Sequence, residues 1–265
     1  MRRLPLLLLL PLTPLSISLL ACATPSEPSE PSSPAATAPE SSAPASDPIA
    51  AAVAAPRDPR DTSRDEIRQP EQLLRFFEVA PGQRIGELGA GAGYSTSLIA
   101  RVVGEGGEVY AQNPAEWAQW VEGPWRERAD KEGLPWMRME LRPFDDPFPA
   151  DLRDLDLVFS VLIYHDTAYM SVDRAKMNAA VHAALADGGV YAVVDHHAAA
   201  GAGATVAKDL HRIERALVIE EVEAAGFELV DEADFLAYAD DDHSFVAWAN
   251  PQPRTDRFVL RFRKL

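Results

Sequence analysis

The sequence predicts a doubly wound α/β domain with a mostly parallel, seven-stranded sheet and helices on both faces. Seven apolar runs of strand length follow one another in the part of the 265-residue chain after residue 56. Amphipathic stretches of helical period separate most of these runs, and this alternation is typical of parallel strands joined by crossover helices. A glycine-rich loop lies between the first run and a helical stretch, where sheets of this class bind ligands.

The strand candidates are Arg84–Leu88, Glu108–Gln112, Met137–Leu141, Leu155–Leu162, Gly189–Val194, Phe227–Val230 and Phe258–Phe262. Helical stretches include Ser95–Val103 and Val172–Leu185. We expect Ser171 to cap the second of these and Asp187-Gly188-Gly189 to close it. The last two strand candidates lack a clear helix between them, so we expect Phe258–Phe262 to run antiparallel beside its neighbour.

Composition and charge indicate a soluble globular domain and argue against several kinds of partner and site. The chain is 47% apolar with 8% aromatic residues, which is typical of a soluble globular core. Lys and Arg number 25 against 41 Asp and Glu, a formal charge of -16 that repels nucleic-acid phosphates. We therefore expect no nucleic-acid partner. With Cys22 as its one cysteine, the chain can form neither an intramolecular disulfide nor a multi-cysteine metal site.

The N-terminus has the layout of an export signal. Arg2 and Arg3 precede the Leu-rich stretch Leu4–Leu20, which ends in Leu19-Leu20-Ala21-Cys22. The stretch is shorter than the roughly 20 apolar residues of a membrane-spanning helix and contains three prolines, so an uncleaved anchor is the less favoured alternative. Its ending resembles a bacterial lipoprotein box. That resemblance implies acylation of Cys22 and a lipid-anchored place in the cell envelope, against the alternative of an incidental thiol.

A polar spacer follows the signal. Residues 23–56 are almost entirely Ala, Pro, Ser, Thr and Glu, a composition that cannot bury enough apolar surface to fold. Such a Pro-rich chain extends about 3.1 Å per residue and reaches up to roughly 100 Å. We therefore expect a signal peptide over 1–21, a disordered tether over 22–56 and a folded domain over 57–265.

The strongest chemical signal is the loop Gly89-x-Gly91-x-Gly93 between a strand and a helix. Glycines let backbone amides approach a ligand closely. A dinucleotide fingerprint needs a further glycine where this chain has Tyr94. The loop instead resembles motif I of class I S-adenosylmethionine-dependent methyltransferases, with Glu87 at the acidic position two residues before the first glycine. The resemblance implies a Rossmann-like methyltransferase fold with S-adenosylmethionine as cofactor, bound by Glu87 and the three glycines.

Nearly the whole folded domain shares this resemblance, with one departure. The family places an acidic residue after the second strand to hold the ribose hydroxyls, and Asn113 stands there in this chain. An amide can still donate and accept, but it lacks the carboxylate's charge. Near the adenine amine the family often has an acidic residue after the third strand, where Asp145 and Asp146 stand; a solvated turn is the alternative.

Polar clusters follow the fourth and fifth strand candidates. The segments Tyr164-His165-Asp166, Val172–Asn178 and Val193–His197 resemble an uncharacterised bacterial group of predicted methyltransferases, which implies no particular substrate. Because parallel strands end at one edge of the sheet, we expect these clusters to share one mouth.

At that mouth we expect His165 or His196 to accept a proton from a small-molecule acceptor, oriented by Asp166 or Asp195. Hydrogen-bonded loop histidines without a catalytic role are the alternative. Asp166, Asp195 and His196 could also hold a divalent metal, although the spacing does not single out a metal and we assign none.

Other conspicuous segments have simpler interpretations. Trp117 and Trp120, at helical spacing, are interpreted as core residues rather than a cover for a ligand. Arg57–Pro70 is interpreted as a solvated, ion-paired segment, and the run Asp240-Asp241-Asp242-His243 as a solvated loop. The sequence thus predicts a methyltransferase, with a tethered, non-catalytic binding module on the same fold as the alternative.

Overall fold

The computed structural model of the chain describes residues 47–248 and 253–265. The predicted signal peptide, Cys22 and the tether up to residue 46 lie outside the described residues. Within the two described ranges, none of the helices is both long and apolar enough to cross a membrane.

The strands form one seven-stranded mixed sheet in the order β3-β2-β1-β4-β5-β7-β6. Their bounds are β1 Arg84–Leu88, β2 Glu108–Asn113, β3 Met137–Leu141, β4 Leu155–Val161, β5 Leu185–His196, β6 Phe227–Ala233 and β7 Arg257–Lys264. Neighbours from β3 to β5 are parallel, and β7 is antiparallel to both β5 and β6. The predicted seven strands and the antiparallel last strand are confirmed, and the sheet is therefore mixed rather than wholly parallel.

Helices cover both faces of the sheet. The helices are α1 Pro48–Ala54, α2 Pro59–Thr62, α3 Asp65–Arg68, α4 Pro70–Phe76, α5 Tyr94–Val103, α6 Ala118–Glu132, α7 Tyr164–Tyr169, α8 Arg174–Ala184, α9 Ala207–Leu210 and α10 Arg215–Glu223, with a 3-10 turn at Ala115–Trp117. Along β2, Val109 and Ala111 belong to one apolar core and Tyr110 to the other. This alternation follows from the two-residue period of a strand, and it buries both faces.

Two predicted boundaries around α8 are wrong. Asp173 rather than Ser171 caps the helix, because its side chain accepts a hydrogen bond from the Lys176 amide at 3.0 Å. The helix passes directly into β5 at Leu185, so Asp187-Gly188-Gly189 lies inside the strand instead of closing the helix. The pairing of β5 with β4 is shifted at that point, and the extra residues form an irregularity.

The folded part begins before Arg57. Helix α1 opens with Asp47, whose carboxylate accepts from the amides of Ile49 and Ala50, and with a proline in its first turn. Ile49 and Ala52, three residues apart on one helix face, are buried in the core shared with α4 and α5. The prediction of disorder is therefore wrong for residues 48–54, since two apolar side chains at helical spacing outweigh the average composition.

The acidic run after β6 is not uniformly solvated. Asp240 and Asp242 are exposed, but Asp241 is buried and accepts from Nη1 of the fully buried Arg212 at 2.9 Å. Arg212 also donates to the carbonyls of His197 and Phe245. This pair attaches the segment between β6 and β7 to the end of β5.

Candidate active site

A cavity of about 670 Å³ opens at the carboxyl ends of β1, β4 and β5. The glycine loop forms one wall, and the turn into α7 together with His196 and His211 forms another. Arg64 and Arg68 contribute from the α2–α4 region, and Trp120 and Trp248 from the rim. The cavity therefore lies where parallel sheets of this class bind small ligands.

The three loop glycines all have positive φ but meet different surroundings. A Cβ at Gly89 would clash with Ile163, and one at Gly93 would lie 2.9 Å from Trp125. A Cβ at Gly91, where φ is +57°, would meet open space. Gly89 and Gly93 are thus required by packing, whereas Gly91 leaves room for a ligand against the backbone.

Asn113 supports this loop from behind. Its Oδ1 accepts from the Gly91 amide at 2.8 Å, and its Nδ2 donates to the Gly91 carbonyl at 3.1 Å. The side chain is fully buried and does not line the cavity. This position does not fit the predicted ribose contact, because the side chain lies buried behind the loop and away from the cavity. Gln112, which sequence reasoning missed, acts similarly on the Gly89 amide at 3.1 Å.

Glu87 lies at the base of the cavity. Its carboxylate is buried near the end of β1 and accepts a hydrogen bond from the Thr96 hydroxyl. Burial raises the pKa of Glu87 to about 7, although Thr96, Ser95 and the nearby cations oppose the rise. The carboxyl is therefore only partly ionised at neutral pH, and a cation bound beside it would favour the charged form.

Arg68 brings a buried positive charge to the same wall. Its guanidinium lies over the Tyr94 ring at 4.8 Å, and its buried Nε has no hydrogen-bond partner among the described residues. Burial lowers the pKa of Arg68 to about 10, so it stays charged at neutral pH. The interpretation of residues 57–70 as a solvated segment is therefore wrong for Arg68, which faces the cavity.

His165 is held in an ion pair. Its Nδ1 lies 2.7 Å from Asp195 Oδ1, and its backbone amide donates to Asp195 Oδ2 at 2.8 Å. Burial lowers the pKa of His165, but the Asp195 and Asp166 carboxylates outweigh it and raise the pKa to about 10. A histidine already protonated at neutral pH does not fit the predicted role of proton acceptor.

Two further side chains approach His165 Nε2. Asp166 Oδ1 lies 3.2 Å from it and His211 Nδ1 lies 3.3 Å from it. Tyr169 donates its hydroxyl to Asp166, whose pKa is lowered because His165 offsets the effect of burial. His211 follows α9 with φ +52°, and no local pattern in the sequence marks it as a site residue.

His196 has the opposite electrostatic surroundings. Its Nδ1 lies 2.7 Å from Thr255 Oγ1, and its ring lines the cavity. Burial, assisted by the positive charge of Arg257 and His165, holds the pKa of His196 well below 6.5. His196 is therefore neutral at physiological pH. Thr255, which sequence reasoning missed, orients it, while Asp195 contacts only its backbone amide at 2.7 Å.

Other predicted site residues lie elsewhere. Asp145 pairs with Lys176 Nζ at 3.2 Å and does not line the cavity, which does not fit an adenine contact there. The metal set Asp166, Asp195 and His196 does not converge, because Asp195 is fully buried and its oxygens accept from the two histidines. Trp120 is 63% exposed at the cavity rim, so its interpretation as a core residue is wrong.

Solved structures with the same architecture come from several sources. A SAM-dependent methyltransferase from Aquifex aeolicus superposes with a TM-score of 0.57 at 18% identity, covering 78% of this chain and 94% of its own. A protein from Galdieria sulphuraria assigned as a sarcosine dimethylglycine methyltransferase gives 0.57 at 16% identity, covering 80% and 92%. The chain has the fold of S-adenosylmethionine-dependent methyltransferases.

This methyltransferase fold does not by itself select a reaction. The [4+2]-cyclase SpnF also superposes, with a TM-score of 0.55 at 15% identity and coverage of 75% and 80%. No protein-family profile matches the sequence, and no curated protein matches it. The reaction must therefore be argued from the cavity.

Proposed function

We propose that the protein is an S-adenosylmethionine-dependent methyltransferase that acts on a small-molecule acceptor. The observation that carries the proposal is a single cavity that combines a glycine loop open at Gly91, the acid Glu87, the cation Arg68 and the neutral His196. The first three fit the cofactor, and the last fits the acceptor.

The chemistry of the wall matches the methionine half of the cofactor. That half carries a carboxylate and an ammonium group, and the cavity offers the guanidinium of Arg68 and the carboxylate of Glu87. The unpartnered Nε of Arg68 leaves a donor for the carboxylate. Gly91 lets the ligand approach the backbone, and bound S-adenosylmethionine supplies an electrophilic methyl carbon.

His196, held in place by Thr255, is the residue that we propose takes the proton of the methyl acceptor. His196 is neutral, and Thr255 fixes its ring from the Nδ1 side. Thr255 Oγ1 also accepts from Arg257 Nε at 3.2 Å. In the tautomer of His196 that donates Nδ1–H to this oxygen, the Nε2 lone pair is available for a proton from the attacking hydroxyl, amine or thiol. Methyl transfer then depends mainly on holding the nucleophile in line with the methyl carbon.

A non-catalytic binding module on the same fold is the alternative. The observation that favours it is the occupied Asn113, which leaves the end of β2 without a carboxylate for the ribose hydroxyls. Such a module would bind a small molecule in the cavity without turnover.

A cofactor titration tests the cofactor assignment on which the methyltransferase proposal depends. For the full-length protein in detergent we expect calorimetry to give micromolar affinity for S-adenosylmethionine. Gly91→Val should weaken binding at least about 100-fold, because its side chain occupies the ligand's space. Gly133→Val is the matched control: Gly133 has φ +62° and open space around the Cβ, so the backbone strain is similar, but it does not line the cavity.

Two results would count against the proposal. Binding no tighter than millimolar by the wild type would remove the cofactor assignment. Unchanged affinity in a folded Gly91→Val variant would show that the loop has only a structural role.

A further inference from the structure

Three potential metal ligands form a nearly regular triangle on the cavity wall. The atoms are His165 Nε2, His211 Nδ1 and Asp166 Oδ1. They are separated by 3.2 Å between His165 and Asp166, 3.3 Å between His165 and His211, and 3.6 Å between His211 and Asp166. All three side chains line the cavity.

These separations are longer than the donor–acceptor distances of strong hydrogen bonds. They match the distances between ligand atoms that share one metal ion. A charge-assisted N–H···O bond is about 2.7–2.9 Å long, as His165 shows on its other side with Asp195 at 2.7 Å. Ligands about 2.0–2.1 Å from a tetrahedral ion lie roughly 3.3–3.4 Å from one another. The triangle therefore matches one face of a tetrahedral coordination sphere.

The groups behind the triangle orient it for metal binding. The buried acceptor Asp195 holds His165 Nδ1–H, so Nε2 is the ring nitrogen that faces the triangle, and a bound ion would displace the proton that His165 carries there in the metal-free protein. A carboxylate behind a metal-binding histidine is the usual outer partner of such a ligand. Tyr169 donates to Asp166 Oδ1 and restrains the third ligand in the same way.

We propose that His165, Asp166 and His211 bind a divalent first-row transition-metal ion, such as Zn²⁺ or Fe²⁺. Two imidazoles and one carboxylate are suitable ligands for these ions, and three protein ligands leave a fourth position open. That position faces the cavity, because all three residues line it. If the proposed methyl transfer holds, an acceptor oxygen bound there would lose its proton more readily.

The test uses Co²⁺ as the probe, with the full-length protein and without S-adenosylmethionine, so that its result is independent of the proposed function. We expect the bound Co²⁺ to show visible d–d absorption. We also expect one equivalent of Co²⁺ whose binding requires the three side chains of the triangle. His211→Ala and Asp166→Asn should each weaken its binding at least about 100-fold, since losing even an outer partner costs about 10- to 100-fold.

His243→Ala is the matched control. His243 is also a partly exposed histidine with positive φ, so the backbone cost is the same, and it belongs to a separate cluster with His197 and Asp256. This variant should still bind Co²⁺ at the triangle with wild-type affinity. The proposal is overturned if the wild type binds no stoichiometric Co²⁺, if both triangle variants retain wild-type affinity, or if only His243→Ala loses the ion. Thermal unfolding of each variant verifies that it is folded.

Discussion

At the scale of single residues, two buried histidines on one cavity wall have opposite protonation states. The rings of His165 and His196 are 5.9 Å apart between centroids. Asp195 and Asp166 raise the pKa of the first to about 10, whereas burial and nearby cations lower that of the second. When the surroundings of two neighbouring titratable groups shift their pKa values in opposite directions, one group is suited to act as an acid and the other as a base. His196 is therefore the proton acceptor to test.

We expect His196→Ala to lower kcat about 100- to 10,000-fold at saturating cofactor, the usual effect of losing a general base. The measurement requires an acceptor found by screening small hydroxyl, amine and thiol compounds. His182→Ala, which removes a histidine outside the cavity lining, is the control and should retain activity. Wild-type turnover in His196→Ala would leave positioning alone as the source of catalysis.

Glu87 should make the protein less stable as the pH rises. Burial raises its pKa from 4.5 to about 7, so the folded state binds more protons than the unfolded state between these values. The free energy of unfolding therefore falls from about pH 4.5 to pH 7. We expect Glu87→Gln to remove this loss and to be more stable than the wild type at pH 8 by up to about 3 kcal/mol, at about 1.4 kcal/mol per pKa unit.

Urea unfolding at pH 5 and pH 8 measures this effect. The exposed Glu116, changed to Gln, is the control and should shift stability by less than about 0.5 kcal/mol at both pH values. Parallel pH dependence in wild type and Glu87→Gln would show that the buried carboxyl does not cause the loss. Cofactor affinity should fall in the same variant, because the proposed ammonium contact loses its charge.

At the scale of elements, the helices before β1 complete the domain instead of leading into it. Helix α1 packs against α4 and α5, and α3 ends with Arg68 in the cavity wall. Gln69 follows with φ +43° and donates to the Phe235 carbonyl at 2.7 Å, which ties the helices to the segment after β6. The cavity therefore depends on residues that composition assigned to a tether or a solvated segment.

We expect Ile49→Ala in α1 to lower the free energy of unfolding by about 2–4 kcal/mol, because it removes buried methyl groups and leaves a cavity. Ala51→Ser, on the exposed side of the same helix, should change it by less than about 0.5 kcal/mol. Denaturant unfolding of both variants provides the comparison. Equal stabilities would mean that α1 adds nothing to the core.

At the scale of the whole molecule, the sheet order accounts for the site. With β1 and β5 on either side of β4, the glycine loop, the turn into α7 and His196 meet at one edge. The antiparallel β7, which begins at Arg257, then brings the preceding Thr255 against His196 at the end of β5. A mixed sheet thus places a residue from near the C-terminus behind the proposed base.

The predicted N-terminal signal would determine where in the cell the whole molecule is located. We propose that the mature chain begins at an acylated Cys22 and is anchored to a bacterial membrane, on the strength of the charged start, the apolar stretch and the placement of the one thiol. Mass spectrometry of membrane-extracted protein should show a lipid on residue 22, and Cys22→Ser should be released or remain unprocessed. An unmodified residue 22 or a different mature start would contradict this proposal.

The positions of the strands and of the glycine loop could be predicted from the sequence, because both depend on local patterns. Apolar runs bounded by turn residues mark the seven strands, and Gly89, Gly91 and Gly93 have their meaning within one short segment. The meeting of the segments after β4 and β5 also followed from the sequence, since parallel strands end at a common edge.

Only the tertiary structure decided what the individual side chains do there. Asn113 bonds to a loop 22 residues away, and His211 reaches His165 from 46 residues away. No local pattern encodes such contacts. The protonation states of His165 and His196 depend in turn on burial and on charges brought from other elements, so two histidines that look alike in the sequence differ in the fold.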